Sequence, residues 1–311
     1  MPPPDELADE GLARWLAEVR ADTGPTFAEL GAAGLREGAR RRTACRPPGP
    51  QLPEVRDMVA ADLAVRLYRP ALRPLPLVVY LHGGGFVMGD LDTYDSTCRR
   101  LAAVADAAVL AVDYRLAPEH PGPAAVDDAV AAFAWAGDRS ADLGVALGIG
   151  TALAGDSAGA AIALLAGLRL RDLGRTPSAL LLAYPNADLT LSAPSVEQKG
   201  IGWNLTAAEL RWFVEQWVPD AARRTDPALS PLFAELHGLP PTIIATAEHD
   251  PLRDEGDELA RRLRGAGVAV EHIAHPGLVH GFLGLGHVSA AAQAASDALF
   301  GRFGSLLQRA P

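Results

Sequence analysis

The segment Gly155-Asp156-Ser157-Ala158-Gly159 lies between two long stretches of small and apolar residues, 146–154 before it and 160–168 after it. This pattern predicts a buried strand, a sharp turn and a buried helix, with Ser157 at the turn. Such a strained turn is called a nucleophile elbow. The residues two positions before and two positions after its serine must have almost no side chain. The glycine at each end of the segment meets that need. The following helix would direct its first N–H groups toward negative charge formed beside Ser157.

Composition narrows the class of protein. The 311 residues, of which 49% are hydrophobic and 21% charged, are enough for a large core, in one α/β domain with an appendage or in two domains. The net charge of −10 argues against a nucleic-acid-binding surface. No run of about eighteen apolar residues is present, so we expect no membrane span.

Two features bear on the cellular compartment. The acidic, proline-rich segment 1–6 lacks the basic start and apolar core of a signal peptide. Cys45 and Cys98 are far apart and match no metal-binding spacing, which is typical of a reducing compartment rather than of a disulfide scaffold. We therefore expect a cytoplasmic protein.

The chain divides near residue 50. Residues 5–20 and 26–42 have helical patterns, and the proline-rich segment 47–50 then interrupts the chain. The first pattern places an apolar stripe on one helix face, formed by Leu12, Trp15, Leu16 and Val19. We therefore predict that residues 1–50 form a helical cap, joined by a stiff linker to a main domain of residues 51–311.

From residue 75 onward, predicted strands and helices alternate, which is typical of a mostly parallel sheet covered by helices on both faces. We predict strands at 55–60, 62–69, 75–81, 107–113, 146–153, 179–184, 241–247 and 267–274. We predict further helices at 94–105, 124–137, 158–172, 206–217, 253–265 and 288–308. The last strand is short and alternating, so we expect it at the sheet edge, where it could pair with a second copy in a homodimer.

The segment His82-Gly83-Gly84-Gly85 directly follows the predicted strand 75–81. Three consecutive glycines have no use in a helix or strand, but they let a backbone approach a ligand and turn its N–H groups inward. Beside a nucleophile elbow, this pattern favours an oxyanion hole formed by the N–H groups of Gly83 and Gly84, with Ala158 as the third donor. The alternative is a plain flexible turn.

A serine nucleophile needs a histidine base, which should lie on a loop after the last strand. The late histidines are His272, His275, His280 and His287. His280 stands in such a loop context after the predicted strand 267–274. The spacing of His272 and His275 could suggest a metal pair, but it lacks the helical HExxH pattern and a third ligand, so we predict no metal site.

An acid that orients this base should follow the penultimate strand, because sites in open α/β sheets are built at the carboxyl ends of strands. Asp250 stands at that position, and Glu248 is its one rival. Asp254, Glu255 and Asp257 fall near the start of the next helix, where the helix dipole favours surface carboxylates.

Together, these segments resemble the bacterial hormone-sensitive-lipase-like (family IV) carboxylesterases, which have the α/β-hydrolase fold. The matching segments run in order over about 200 residues, and they are 81–86, 113–121, 155–159, 250–256 and 280–282. Two residues depart from the family pattern: Gly122 stands where a bulky aromatic residue is common, and Ala160 where another glycine is usual.

The resemblance implies an α/β-hydrolase fold with an eight-stranded, mostly parallel sheet flanked by helices, an N-terminal helical cap and no cofactor. It also implies a catalytic triad of Ser157, Asp250 and His280. The glycine segment would supply the oxyanion hole. His82, Gly85 and Asp156 would support these two motifs.

The resemblance further implies a serine carboxylic-ester hydrolase that acts on a small-molecule ester. Aromatic residues indicate a second piece of the cap at 190–217, and Phe86 and Trp203 are candidates for lining the substrate pocket. A capped, finite pocket favours short to medium acyl chains, roughly two to eight carbons. Two alternatives remain: a deacetylase or amidase of a specialised metabolite, and a non-catalytic small-molecule receptor, which the presence of His280 disfavours.

Overall fold

One sheet organises the main domain. The computed structural model describes residues 7–146 and 150–309. Within those ranges, eight strands lie in the spatial order β1-β2-β4-β3-β5-β6-β7-β8. The strands are β1 (Glu54–Ala60), β2 (Leu63–Arg69), β3 (Leu77–Leu81), β4 (Ala108–Val112), β5 (Thr151–Asp156), β6 (Leu180–Ala183), β7 (Thr242–His249) and β8 (Val270–Val279). β2 is antiparallel to both of its neighbours, and every other pairing is parallel, which confirms the predicted sheet.

The helices follow the predicted order. They are α1 (Glu10–Ala21), α2 (Phe27–Ala44), α3 (Asp95–Ala105), α4 (Ala124–Asp138), α5 (Ala158–Asp172), α6 (Pro194–Gln198), α7 (Ala207–Trp217), α8 (Arg253–Gly265) and α9 (Ala290–Leu307). Sequence analysis missed α6, because its five residues are too few to show a helical period. Residues 5 and 6 of the first predicted helix, and residues 147–149 of the strand predicted at 146–153, lie outside the described ranges.

Helices cover both faces of the sheet. In the central strand β3, Val79 belongs to the apolar cluster on one face of the sheet, which also contains residues of α4, α5 and α8. Val78 and Tyr80 point to the other face and pack with α3 and α9. Every residue of β3 is buried, as expected for a parallel strand between two helical layers.

The two N-terminal helices pack on different parts of the core. α1 buries Leu12 and Leu16 in the cluster that also holds Phe282. α2 buries Leu35 in the cluster that holds Phe86. α2 is interrupted at Gly31, whose left-handed backbone (φ 61°) divides it into two helical pieces.

Residues 7–146 and 150–309 show no membrane-spanning helix and no metal-binding cluster. No helix in these ranges is long and apolar enough to cross a membrane. The same residues contain no group of three or more His, Cys, Asp or Glu side chains that could hold a metal ion. Cys45 is exposed, Cys98 is buried, and both are free thiols.

The tight packing at Gly159 generates a stability prediction. A Cβ added there would lie 2.1 Å from the carbonyl oxygen of Leu81 and 2.4 Å from that of His82. Because both obstacles are backbone atoms, we expect Gly159→Ala to lower the free energy of unfolding by about 1–3 kcal/mol or more. Urea unfolding monitored by circular dichroism measures this change.

Gly301 in α9 offers a matched control, because a Cβ there meets no atom within 4 Å. We expect Gly301→Ala to raise the free energy of unfolding by about 0.5–1 kcal/mol, since alanine favours a helix interior over glycine. A Gly159→Ala variant as stable as the parent protein would contradict the close packing described here.

Candidate active site

The predicted nucleophile elbow is present at the end of β5. The strand ends at Asp156, α5 begins at Ala158, and Ser157 between them has a strained backbone with a positive φ (φ 53°, ψ −121°). A Cβ on Gly155 would lie 2.4 Å from the carbonyl oxygen of Gly159. The spacing of the two glycines around Ser157 therefore follows from the close approach of strand and helix.

Ser157, His280 and Asp250 form a hydrogen-bonded chain. Oγ of Ser157 lies 2.9 Å from Nε2 of His280, and Nδ1 of His280 lies 2.8 Å from Oδ2 of Asp250. The carboxylate of Asp250 is fully buried, and its Oδ1 accepts a hydrogen bond from the N–H of Leu252 at 2.8 Å. Because a carboxylate accepts, Nδ1 carries the proton, and the Nε2 lone pair faces the serine hydroxyl.

Two neighbouring strands position the acid and the base of the Ser-His-Asp chain. β7 ends at His249, directly before Asp250, and β8 ends at Val279, directly before His280. These parallel neighbours end at the same edge of the sheet, so their carboxyl ends bring together side chains that are thirty positions apart. β8 extends further than predicted, and His280 follows it immediately.

The rival carboxylate and two of the rival histidines lie elsewhere. Glu248 is exposed, and its Oε2 accepts a hydrogen bond from the N–H of Gly277 at 2.7 Å. His272 lies 3.1 Å from a carboxylate oxygen of Asp257. Burial lowers the pKa of His275 to about 4, so this imidazole is neutral near pH 7.

The position of Glu255 differs from the sequence expectation. The sequence predicts a surface carboxylate at the start of α8, but Glu255 is buried. Its Oε1 accepts hydrogen bonds from the N–H groups of Ala187 at 2.6 Å and Asp188 at 3.1 Å. Burial raises the pKa of Glu255 well above its usual range, while these two donors oppose the shift. Asp257, from the same helix, is exposed as predicted.

Asp156 binds the glycine loop to the elbow. Its Oδ1 accepts hydrogen bonds from the N–H of Gly83 at 2.9 Å and the hydroxyl of Tyr80 at 2.8 Å, and its Oδ2 accepts from the hydroxyl of Tyr94 at 3.1 Å. Burial raises the pKa of Asp156, although the three donors favour the carboxylate. The expectation that Gly83 offers its N–H to a substrate is wrong for this structure, because Asp156 already accepts from it.

Each glycine of the loop is required by a close neighbour. A Cβ on Gly83 would lie 2.6 Å from Oδ2 of Asp156. A Cβ on Gly84 would lie 2.1 Å from the carbonyl oxygen of Met88, and one on Gly85 would lie 2.3 Å from the ring of Phe213. Gly84 and Gly85 also have left-handed backbones, with φ values of 118° and 61°. The loop is therefore a packed structure rather than a plain flexible turn.

His82, the first residue of the glycine segment, is held in place by Tyr114. Its ring stacks on Tyr114 at 4.3 Å, and its carbonyl oxygen accepts a hydrogen bond from the Tyr114 hydroxyl at 2.6 Å. Burial lowers the pKa of His82 to about 4, so the imidazole is neutral near pH 7. A packing role therefore fits His82 better than proton transfer.

The two candidate pocket residues are both almost completely buried. Phe86 stacks on Trp217 with ring centroids 4.5 Å apart, and Trp203 stacks on His249 at 3.8 Å. Trp217 also accounts for one departure from the family pattern, because a Cβ on Gly122 would lie 2.8 Å from its indole ring. An aromatic residue at position 122 would therefore compete with Trp217 for the same space.

Sequence reasoning missed three hydrogen bonds at the site. The phenol groups of Tyr80 and Tyr94 donate to Asp156, and the side-chain amide of Asn204 donates to the carbonyl oxygen of His280 at 3.0 Å. Tyr80 resembles any other apolar strand residue in the sequence, and Asn204 resembles a loop residue. The hydrogen-bond partners of Tyr80 and Asn204 each lie 76 positions away along the chain, so no local sequence pattern indicates these contacts.

A hydrogen-bonded Ser-His-Asp chain, with a buried acid and base and its serine on a nucleophile elbow, defines a serine hydrolase of the α/β-hydrolase fold. Residues 78–284 match the sequence model of a family described as having the alpha/beta hydrolase fold. The chain belongs to this family and, within it, to the hormone-sensitive-lipase-like esterases.

Three similar proteins are hydrolases of esters. The chain is 42% identical over 285 residues to the carboxylic ester hydrolase LipN of Mycobacterium tuberculosis, covering 87% of this chain and 76% of that protein. It is 39% identical over 234 residues to an ethyl acetate hydrolase of Pseudomonas putida, covering 73% of each. A solved ester hydrolase from the Lake Arreo metagenome superposes with a TM-score of 0.88 at 37% identity, covering 96% of this chain and 98% of that one. With the site geometry, these matches identify the chain as a carboxylesterase.

The contacts of Asp156 generate a prediction about activity. We expect Asp156→Asn to lower kcat by about 10–100-fold, because the amide removes the charge that holds three donors and lets the glycine loop shift relative to Ser157. Steady-state kinetics with p-nitrophenyl butyrate measures this change.

Tyr94→Phe is the matched control, because it removes one donor to Asp156 but keeps the hydrogen bond to Gly83. We expect a smaller effect on kcat, within about threefold. An Asp156→Asn variant with the kcat of the parent protein would show that this carboxylate does not hold the loop.

Proposed function

We propose that this carboxylesterase uses Ser157 as its nucleophile. Oγ of Ser157 attacks the ester carbonyl carbon, and Nε2 of His280 takes the hydroxyl proton. The tetrahedral intermediate collapses when His280 gives this proton to the leaving alcohol, which produces an acyl-enzyme. A water molecule then attacks the acyl group and loses a proton to His280. As the carboxylic acid leaves, His280 returns this proton to Oγ of Ser157, which regenerates the free enzyme. Asp250 orients the imidazole and stabilises its protonated form.

The observation that carries this proposal is the continuous hydrogen-bonded chain from Ser157 through His280 to Asp250. The elbow holds the serine, and two separate strands bring the other two members to it. The presence of the complete chain also disfavours a non-catalytic receptor, which has no use for an activated serine.

The oxyanion hole is assigned to the backbone N–H groups of Gly84, Gly85 and Ala158. We assign Gly85 to this role instead of Gly83, because the N–H of Gly83 donates to Asp156. Ala158 begins α5, where the helix dipole also favours negative charge. Loss of one such donor typically costs about 3–4 kcal/mol of transition-state stabilisation.

The cap consists of residues 1–50 together with residues 190–217. In its first part, Phe27 packs edge-on against Trp212 and Phe213 of α7, which joins the two pieces. Arg36 of α2 donates to the carbonyl oxygens of Val87 at 2.8 Å and Ala117 at 2.9 Å. The cap is therefore attached to the segment that follows the glycine loop.

The acyl group is short to medium in length, roughly two to eight carbons. Aromatic rings surround the glycine loop: Phe213 lies against Gly85, and Phe86 stacks on Trp217. These rings limit the space beside the proposed oxyanion hole, so each added methylene gains about 0.8 kcal/mol until the pocket is full. The similarity to an ethyl acetate hydrolase supports the lower end of this range.

A cytoplasmic location also belongs to the proposal. It is supported by the two free thiols Cys45 and Cys98, which suit a reducing compartment.

The substrate proposal predicts a chain-length profile. We expect p-nitrophenyl esters of two to roughly eight carbons to give the highest kcat/KM, with a steep fall for longer chains because the pocket is finite. Ser157→Ala and His280→Ala should each lower kcat by about 10⁴–10⁶-fold on every ester. A continuous assay of released p-nitrophenol measures both effects.

Ser305→Ala, which changes a hydroxyl on the exposed side of α9, is the control and should keep the parent activity. Acetyl p-nitroanilide in the same panel distinguishes an amidase. Ser157→Ala activity within tenfold of the parent would refute the mechanism, and faster hydrolysis of emulsified triolein than of p-nitrophenyl butyrate would refute the substrate class.

A homodimer through β8 is the last part of the proposal. β8 lies at the end of the sheet beside β7, and this edge would pair with the β8 of a second copy. We expect light scattering at micromolar concentration to give a dimer mass. Ala274→Lys should shift the protein to monomer, because two like charges would face each other across the paired edges.

Val59→Lys is the matched control for this test. Val59 is 68% exposed on β1, the strand at the opposite edge of the sheet, so this variant should remain dimeric. A monomer mass for the parent protein would rule out the dimer.

A further inference from the structure

The loop between α6 and α7 contacts both strands that carry the acid and the base. Two consecutive residues, Trp203 and Asn204, make these contacts. They come from the proposed second part of the cap, and sequence analysis assigned no role to Asn204. Their partners are His249, which precedes Asp250, and the catalytic His280 itself.

Trp203 packs against the end of β7. Its indole ring is parallel to the imidazole of His249, with an angle of 2° and a centroid distance of 3.8 Å. Trp203 is 4% exposed and His249 is fully buried, so the two rings cover each other. The next residue after His249 is Asp250, whose backbone position this stack limits.

Asn204 reaches the backbone of the proposed base. Its Nδ2 donates a hydrogen bond to the carbonyl oxygen of His280 at 3.0 Å. The same nitrogen lies 3.7 Å from the position that a Cβ on Gly281 would occupy, so the amide packs directly on this turn. Asn204 has a left-handed backbone (φ 79°), a conformation that asparagine adopts more readily than most residues.

The loop itself is held from the first helix of the chain. Nε of Arg20 in α1 donates to the carbonyl oxygen of Gly202 at 2.7 Å, and the guanidinium lies 5.3 Å from the centre of the Trp203 ring. Lys199, at the start of this loop, also contacts His249: its Nζ lies 3.1 Å from Nδ1 of His249. These contacts hold the part of the loop that precedes Asn204 in the sequence.

We propose that Asn204 is a positioning residue, which holds the backbone of His280 so that the imidazole keeps its distance to Ser157. The inference rests on the proposed function, in which His280 moves the proton of the serine. β8 ends at Val279 and Gly281 has a left-handed backbone, so the peptide of His280 stands at a turn. A displacement of about 1 Å at a reacting group can cost on the order of 10²-fold in rate.

The test compares two variants at position 204. Asn204→Gly keeps the left-handed backbone but removes the amide, and Asn204→Asp keeps the side-chain shape but replaces the donor nitrogen with an acceptor oxygen. For both, we expect kcat for p-nitrophenyl butyrate to fall by about 10–100-fold while KM stays within threefold. Active sites are counted by titration with a p-nitrophenyl phosphonate, and kcat is expressed per titrated site.

Asp62→Gly is the matched control, because Asp62 also has a left-handed backbone (φ 66°) but is exposed in the turn between β1 and β2. It should keep the parent kcat. A lower kcat per titrated site in both position-204 variants supports the proposal. A normal kcat per titrated site in either variant overturns the proposal. This holds even if fewer sites are titrated or the unfolding temperature falls, because any loss of total activity would then come from unfolding and not from a displaced His280.

The parent protein and Ser157→Ala, assayed alongside, separate this inference from the mechanism itself. If the parent hydrolyses the ester and Ser157→Ala does not, the mechanism stands and position 204 alone is judged. If Ser157→Ala equals the parent, the mechanism fails first, and the role given to Asn204 fails with it.

Discussion

The site depends on the crowded backbone crossing at Ser157. The strand β5 and the helix α5 approach so closely that a Cβ on Gly155 would touch the backbone of Gly159, and one on Gly159 would touch the carbonyl of Leu81. No side chain fits at either position. The neighbouring backbone therefore holds Ser157 in its strained conformation with positive φ, where its hydroxyl lies beside the end of β8. The strained turn is maintained by packing on both sides rather than by the local sequence alone.

Buried carboxylates then fix the loops around this crossing. Asp156 accepts from the glycine loop, Asp250 accepts from Leu252 and His280, and Glu255 accepts from the segment 187–188. A buried carboxyl group that loses its hydrogen-bond partners costs about 1–3 kcal/mol or more, so each of these groups favours the arrangement that keeps its donors in place. Because most of the donors are backbone N–H groups, the carboxylates hold the loop backbones together.

Hydrogen bonds to backbone oxygens also attach the proposed cap. Arg36 binds the segment after the glycine loop, and Arg20 binds the loop that carries Asn204. Apolar packing alone, as at Leu12 and Leu16, would allow the helices to slide, whereas directional hydrogen bonds set their register. The proposed cap therefore meets the site at defined points, and one of them is the hydrogen bond from Asn204 to the carbonyl oxygen of His280.

The sequence by itself predicted most strands and helices, their order along the chain and the elbow, because each depends on local periodicity or on a turn at a strand end. Its resemblance to a known family then implied the eight-stranded sheet and the triad of Ser157, Asp250 and His280. The sequence could not determine that the N–H of Gly83 is occupied, that Glu255 is buried, or that Asn204 meets His280. Those facts depend on partners 67 to 76 positions away. A hydrogen bond between distant segments leaves no periodic trace in either one, so the tertiary structure alone decided which polar groups remain available for chemistry.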